Sequence, residues 1–289
     1  MAFERPDVLV LAAGGIVGEA WMTGVLRGLT DASGVDFRDC ETFVGTSAGS
    51  IVAASLAAGR EPRAPAKTHQ AEEPAAGGGA ALKTAMRIAA AATAPLAETV
   101  LATQAGALAR RTVLRRLPEG RRSLRQLRSE VGRWNARFDG RLRVCTLDAG
   151  SGRRVVFGAP GAPEATVAEA VEASCAVPTV FRPVTIGGRT YIDGGAWSIT
   201  NLDAAPAGRD SRVLCLSVMG GRPAANPAGV MRAFSGPALA VEAAGLRRRG
   251  ARVRVIGPDA DLGMNLLDPQ HAAAALEAGH RQGLRAGAR

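Results

Sequence analysis

The hydrophobic positions in the first sixty residues follow two alternating patterns, one typical of buried strands and the other of helices. Residues 8–11 are an unbroken run of Val and Leu, as expected for a central strand buried on both faces. The predicted order is strand 8–11, turn 12–18, helix 19–29, strand 42–44, turn 45–49 and helix 50–58, with Gly59 as C-cap. Two successive strand–turn–helix units predict a mainly parallel α/β sheet.

The pattern changes in the middle of the chain. Residues 61–80 are rich in Pro, Ala and Gly and predict a mobile loop. Residues 80–135 carry only helical patterns and many arginines. We therefore expect residues 61–137 to form a helical insertion within one domain that spans residues 1–289.

Strand patterns return after this insertion. Residues 141–148 and 153–157 predict a hairpin. Thr166, followed by Glu169 three residues later, forms a capping box that opens a helix ending before Pro178. The remaining predicted elements are strands 184–186, 190–193, 212–218 and 252–256, and helices 230–247 and 271–283.

Charge and composition narrow the classes of partner. The net charge is +10, carried almost entirely by Arg, and a basic surface attracts anionic membranes or nucleic acid. Nucleic-acid modules usually interleave aromatic with basic residues, and only 4% of this chain is aromatic. We expect no nucleic-acid partner. The basic stretch from Arg110 to Arg137 is equally consistent with a solvated surface and with peripheral contact at an anionic membrane.

The cysteines and the apolar runs bear on the cellular compartment. The four cysteines show no C-x-x-C spacing and no disulfide framework, which favours a reducing compartment. Glu4 and Asp7 precede only a short apolar run, so the first residues make a poor signal peptide. The sequence has no run of about 18 apolar residues that would span a membrane. We expect a cytoplasmic protein, with a peripheral position at the inner membrane face as an option.

The segment Gly45-Thr46-Ser47-Ala48-Gly49 has the G-x-S-x-G form of a nucleophile elbow. This pattern also arises by chance in proteins rich in Gly and Ala. Its position between a predicted strand and a predicted helix favours the catalytic interpretation, because a serine there lies at the positive end of the helix dipole. Gly45 and Gly49 would allow the strained turn.

A second glycine-rich segment, Ala13-Gly14-Gly15-Ile16-Val17-Gly18, follows the first strand. A dinucleotide-binding turn would read G-x-G-x-x-G, with an acidic residue ending the next strand. This segment begins with Ala13, and the next strand leads into G-T-S-A-G instead. An oxyanion loop fits better, since turns at the carboxyl ends of adjacent parallel strands lie side by side.

A base for Ser47 is harder to find. His69 lies in the predicted loop, and His271 and His280 lie on roughly opposite sides of the last predicted helix. A Ser–Asp–His triad of the α/β-hydrolase order would also need several strands before the elbow, and only two precede Ser47. Asp193 leaves an apolar strand into Gly194 and Gly195, which fits either a catalytic carboxylate or an ordinary Asp-Gly turn.

Three segments in this order resemble the patatin-like phospholipases. They are LVLAAGGIVGEAW, FVGTSAGS and YIDGGAWSITN, and AVEASCAVPTVFRPV also resembles the family's approach to its catalytic Asp. Asn201 stands where family members often carry Asn. The resemblance covers the first sixty residues and about 141–205.

The resemblance implies a three-layer α/β/α fold and a Ser–Asp dyad. Ser47 would attack an ester carbonyl and Asp193 would accept its proton. The N–H groups of Gly14 and Gly15, with Ala48, would form the oxyanion hole. The glycines that would support these motifs are Gly18, Gly45, Gly49, Gly194 and Gly195.

The chain departs from the family pattern at two positions of the glycine-rich loop. Ala13 replaces the usual first Gly, and Val17 replaces the usual basic residue. The implied substrate is therefore an acyl ester of a lipid, with phospholipid less strongly indicated than ester hydrolysis. An acyltransferase, a thioesterase or a non-catalytic lipid- or partner-binding descendant is the alternative. We expect neither metal nor cofactor, and the pattern does not determine the oligomeric state.

Overall fold

The computed structural model describes residues 3–61, 111–218, 227–259, 262 and 266–288, with the backbone only for 227–235. The predicted loop 61–80, with His69, lies almost entirely outside the described residues, as does the larger part of the predicted insertion 61–137. The part of the insertion that is described includes a helix at Arg125–Gly132. The assignment of residues 1–289 to one domain stays a prediction.

The described elements alternate between strands and helices along the chain. In order they are β1 Val8–Leu11, α1 Gly15–Ser33, β2 Thr42–Thr46, α2 Ala48–Ala57, α3 Arg125–Gly132, β3 Leu142–Asp148, β4 Arg153–Phe157, α4 Val167–Ser174, β5 Val184–Ile186, β6 Arg189–Asp193, β7 Arg212–Leu216, α5 Pro227–Arg248, β8 Arg252–Ile256 and α6 Ala272–Gly287. The predicted strands are confirmed to within two residues, as are the hairpin and the capping box of Thr166 with Glu169. The predicted helices are confirmed as elements, but α1 extends four residues further at both ends and α6 ends four residues later than predicted.

The start of α1 corrects the sequence prediction. We expected a turn over residues 12–18, but the helix begins at Gly15. The Gly18 N–H donates to the Gly14 carbonyl, and the Val17 N–H, which would lack a helical partner, donates to the carbonyl of Leu266. A distant segment thus supplies an acceptor that lets the helix begin four residues earlier.

The sheet is mixed but mainly parallel, with strand order β5-β6-β3-β2-β1-β7-β8, and β4 pairs with β3. Strand β1 lies parallel between β2 and β7, and all four of its residues are buried. Leu9 and Leu11 pack on one face with α1, α2 and α4, whereas Val8 and Val10 pack on the other face with α5. These layers confirm the α/β/α fold.

Helices α1 and α6 pack through glycines at helical spacing. A Cβ at Gly24 would lie 2.1 Å from the carbonyl oxygen of Leu276, and one at Gly28 would lie 2.1 Å from that of His280. Gly279 and Gly283 face α1 in the same way. The glycines therefore allow the two backbones to approach closely. Within the described residues, no helix combines the length and apolar character that crossing a bilayer requires.

Candidate active site

Strand β2, which leads into Ser47, and strand β6, which ends in Asp193, meet end to end along one edge of β3. Strand β4 occupies the other edge over the same part of β3. The last residue of β2, Thr46, lies opposite Cys145, and the last residue of β6, Asp193, lies opposite Thr146. Because Cys145 and Thr146 are consecutive, Ser47 and Asp193 come to the same point of the sheet.

Ser47 occupies a sharp turn between β2 and α2. Its φ of 52° and ψ of −125° are unfavourable for a residue with a side chain. A Cβ at Gly45 would lie 2.5 Å from Ser50 Cα, and one at Gly49 would lie 2.0 Å from the carbonyl oxygen of Leu11. The two glycines are therefore required by close backbone contacts. The contact of Gly49 with Leu11 also shows that the turns after β1 and β2 touch.

The backbone of this turn is held by a serine that the sequence analysis did not single out. The Ser47 N–H donates to Ser174 Oγ at 2.8 Å, and the Ser174 hydroxyl donates to the Cys145 carbonyl at 2.7 Å. Ser174 is fully buried at the end of α4. It joins the turn of Ser47 to β3, and it lies within the AVEASC segment without any local pattern that predicts this contact.

Asp193 is buried, and its carboxyl lies close enough to the Ser47 hydroxyl for that group to lower its pKa. The Gly195 N–H donates to Asp193 Oδ1 at 2.7 Å, so the Asp-Gly turn also orients the carboxylate. Burial raises the pKa of Asp193 to about 6, and the nearby Ser47 hydroxyl and the hydrogen bond from the Gly195 N–H act in the opposite direction. A carboxylate with this pKa can both accept and release a proton near neutral pH.

The glycine-rich loop after β1 lies beside the turn of Ser47. The hydrogen bonds of the described residues include none donated by the N–H groups of Gly14, Gly15 or Ala48. Gly15 has a φ of 57°, which favours glycine. These donors are compatible with the predicted oxyanion hole, whose assignment stays a prediction. Val17 is fully buried in the core, so at this position the chain has a packing residue where the family pattern has a charge.

Asn201 connects the turns on either side of the candidate dyad. Its Nδ2 donates to Thr46 Oγ1 at 3.1 Å, to the Gly194 carbonyl at 3.3 Å and to the Ser198 carbonyl at 2.7 Å. Thr46 directly precedes Ser47, and Gly194 directly follows Asp193. The position was noted in the sequence only through the resemblance, and its bridging contacts could not be read from the pattern.

The described histidines take part in other contacts. His280 Nε2 lies 2.7 Å from Asp31 Oδ2, and His271 lies 3.9 Å from Asp268. The predicted His69 lies outside the described residues. Among the residues that the structure describes, no group of three or more His, Cys, Asp or Glu side chains is arranged to hold a metal ion. The four cysteines are buried and unpaired.

Comparison with known proteins identifies one family. Residues 9–206 match the family model described as patatin-like phospholipase. No curated protein matches the chain. The crystal structure of VipD from Legionella pneumophila aligns with a TM-score of 0.45 and 14% identity over 99% of this chain and 67% of VipD. The type III effector protein ExoU aligns with a TM-score of 0.41 and 17% identity over 99% of this chain and 54% of ExoU. The chain thus spans about half the length of ExoU.

Proposed function

The chain belongs to the patatin-like phospholipase family, and on this premise we propose that it is a serine hydrolase that cleaves acyl ester bonds of lipids through Ser47 and Asp193. The observation that carries the proposal is that strand pairing brings the buried Asp193 carboxyl next to Ser47, whose hydroxyl lowers the pKa of that carboxyl. A nucleophile needs an adjacent base, and the pairing of β2 and β6 with β3 brings Asp193 beside Ser47 without a histidine.

The reaction follows from the positions of these two groups. The Ser47 oxygen attacks the ester carbonyl while its proton passes to Asp193, and the carbonyl oxygen becomes negatively charged. The N–H groups of Gly14, Gly15 and Ala48 would stabilise that charge. Asp193 then returns the proton to the leaving alcohol, which leaves an acyl-enzyme. Asp193 next takes a proton from water, the resulting hydroxide attacks the acyl group, and Ser47 is regenerated by the same proton.

The alternative of a non-catalytic descendant rests on the altered loop at Ala13 and Val17. The structure gives this alternative little support. The departures from the family pattern at these two positions alter side chains, whereas the proposed oxyanion donors are backbone N–H groups. An acyltransferase or thioesterase would share the acyl-enzyme. Product analysis with added alcohol or thiol acceptors would distinguish transfer from hydrolysis.

The test compares p-nitrophenyl ester hydrolysis and fluorophosphonate labelling for wild type, Ser47→Ala and Asp193→Asn. Matched controls are Ser129→Ala and Asp139→Asn, which change the same residue types at exposed positions. We expect both site variants to lose at least about 10³-fold in kcat and Ser47→Ala to lose labelling, with the controls unchanged. A folded wild-type protein that neither hydrolyses esters nor reacts with the probe would contradict the proposal.

The second part of the proposal is contact with an anionic membrane at the inner face. Leu114 and Leu117 pack against a small cluster that includes Ile192 and Ala196, next to the turn of Asp193. Arg115 and Arg116, on the same segment, are exposed. This arrangement places basic side chains beside the candidate site, where they would favour approach to an anionic lipid surface.

A further inference from the structure

Helix α5 contributes a buried carboxylate beneath the loop that follows the Asp193 turn. Glu242 is 8% exposed, and its neighbours on the same helix face, Leu239, Ala243 and Leu246, are apolar core residues. A buried charge is costly unless it is hydrogen-bonded, so a carboxylate among apolar residues is expected to have hydrogen-bond donors nearby.

Glu242 accepts three hydrogen bonds from one short loop. Ser198 Oγ donates at 2.6 Å, Thr200 Oγ1 at 2.5 Å and the Leu202 N–H at 2.8 Å. These donors lie on both sides of Asn201. The carboxylate therefore fixes the chain immediately before and immediately after the residue that bridges the two catalytic turns.

The conformation of Asn201 depends on this support. Its φ of 47° is left-handed, and its N–H donates at 3.0 Å to Ser198 Oγ, the hydroxyl that also bonds Glu242. From this position the Asn201 side chain reaches Thr46 Oγ1 and the Gly194 carbonyl. A continuous path of hydrogen bonds thus runs from Glu242 to the residue before Ser47 and to the residue after Asp193.

We propose that Glu242 is a positioning residue that, through Asn201, holds the turn of Ser47 and the turn of Asp193 at a fixed separation. The catalytic part of this inference rests on the function proposed above. Glu242 lies on the face of the sheet opposite α1 and α2, so it acts on the dyad only through this loop.

The surroundings of Glu242 are consistent with this role. Burial raises the pKa of Glu242 to about 7, and the nearby Asp203 adds to that shift, while the three hydrogen bonds oppose it. The other ionisable groups that face it are Arg154, which pairs with Asp203, and the buried thiols of Cys145 and Cys215. An apolar residue would avoid the cost of burial but would leave the loop unsupported.

Two substitutions separate positioning from packing. Glu242→Ala removes every acceptor, whereas Glu242→Gln keeps the shape, one acceptor oxygen for the Leu202 N–H, and an amide that can donate to a hydroxyl. Asn201→Ala breaks the same path at its other end. Gln282→Ala is the matched control, because Gln282 is a buried polar residue that bonds Trp21 and the Gly257 carbonyl.

The first measurement is kcat and KM for an ester substrate, per site titrated by fluorophosphonate. We expect Glu242→Ala and Asn201→Ala each to lower kcat about 10- to 100-fold, since misplacement of about 1 Å has effects of that size. KM should change less than about threefold, and Glu242→Gln should keep most of the wild-type kcat. The double variant Glu242→Ala/Asn201→Ala should have a kcat no lower than that of the more affected single variant, because both changes break the same path. An unchanged kcat in Glu242→Ala, or an equal loss in Gln282→Ala, would overturn the proposal.

A second measurement is independent of ester hydrolysis. Hydrogen exchange of the Ser47 and Gly195 amides should accelerate in Glu242→Ala and in Asn201→Ala but not in Gln282→Ala. If wild type proved inactive and both turns still loosened, the proposed hydrolase function would fail while the positioning role would stand. If the turns kept their protection, the positioning role would fail whatever the activity.

Discussion

Ser47 and Asp193 are brought together by one edge of β3, on which the strand before Ser47 and the strand ending in Asp193 meet end to end. Backbone pairing with β3, rather than long loops, therefore brings the two residues to the same place in the fold. Elements with fixed register hold reacting groups more precisely than loops do. The contacts of Ser174 and Asn201 then adjust the turns at each strand end.

The rate should depend on the ionisation of Asp193. As a general base this carboxyl must be ionised, and its pKa is raised to about 6. We expect kcat/KM to fall about tenfold per pH unit below pH 6 and to level off as Asp193 becomes fully ionised. Rates measured with a soluble ester between about pH 4.5 and 8, with folding checked by circular dichroism, test this. A profile that is flat across that range would rule out Asp193 as the base.

The same residue should cost stability at neutral pH. The pKa of Asp193 in the folded protein, about 6, is above the ordinary value of 3.8. The folded state thus favours the protonated form, and stability decreases as pH rises from about 4 to above 6. Asp193→Asn should therefore raise the free energy of unfolding at pH 8 by about 1–3 kcal/mol, with little gain near pH 4.

Urea denaturation at both pH values would measure this difference. Asp139→Asn is the control, because Asp139 is exposed. A site variant that is no more stable than wild type at pH 8 would show that the ionised carboxylate is adequately compensated in the folded state.

The sequence predicted those features that are encoded locally. The turn of Ser47 needs Gly45 and Gly49 within two residues on each side, and the Asp193 turn needs the glycines that follow it. Strand β1 was predicted at its observed bounds because it is buried on both faces and is a continuous apolar run. Such features leave a short pattern in the chain.

The contacts that support the site leave no such pattern. Ser174 accepts the hydrogen bond of the Ser47 N–H although the two residues are 127 positions apart in the sequence. Glu242 and Thr200, which are also hydrogen-bonded, are 42 positions apart. A serine or a glutamate in a helix has many ordinary explanations, and only the packed sheet shows which backbone group it meets. The early start of α1 has the same cause, since the acceptor for the Val17 N–H comes from Leu266.

A side chain at Gly49 should disrupt the turn of Ser47. The added Cβ would lie 2.0 Å from the Leu11 carbonyl oxygen, a backbone atom of the central strand. We expect Gly49→Ala to lower the free energy of unfolding by about 1–3 kcal/mol and to abolish hydrolysis. Gly208→Ala is the control, since nothing lies within 4 Å of its added Cβ, and it should change stability by less than about 0.5 kcal/mol. Equal effects of both variants would contradict the steric explanation.

Removal of the Ser174 hydroxyl should affect both stability and catalysis. Ser174→Ala leaves the buried Ser47 N–H without its acceptor and the Cys145 carbonyl without this donor. An unsatisfied buried group costs about 1–3 kcal/mol, and kcat should fall because the strained turn loses its support. The control is Ser33→Ala, since the Ser33 hydroxyl bonds a carbonyl of its own helix. A variant with lower stability and wild-type kcat would limit Ser174 to a structural role.

The basic segment beside the site should determine binding to anionic membranes. Arg115, Arg116 and Arg121 are exposed. The first two lie between Leu114 and Leu117, which pack beside the Asp193 turn, and Arg121 comes four residues after Leu117. Changing all three to Gln should weaken binding to vesicles containing phosphatidylserine by roughly 1 kcal/mol per residue, about 100-fold in total, and the binding should decrease with salt.

The structure offers a control with the same change in charge. Arg247, Arg248 and Arg249 are exposed where α5 ends, just before β8 begins, so they lie at the amino ends of the parallel strands, opposite the site. Changing these three to Gln should leave binding to anionic vesicles, measured by flotation, within about threefold of wild type, because membrane contact at the site would leave them facing water. If both triple variants weakened binding equally, net charge rather than the 111–121 segment would be responsible. If the wild-type protein did not float with these vesicles at low salt, the proposed membrane contact would be wrong.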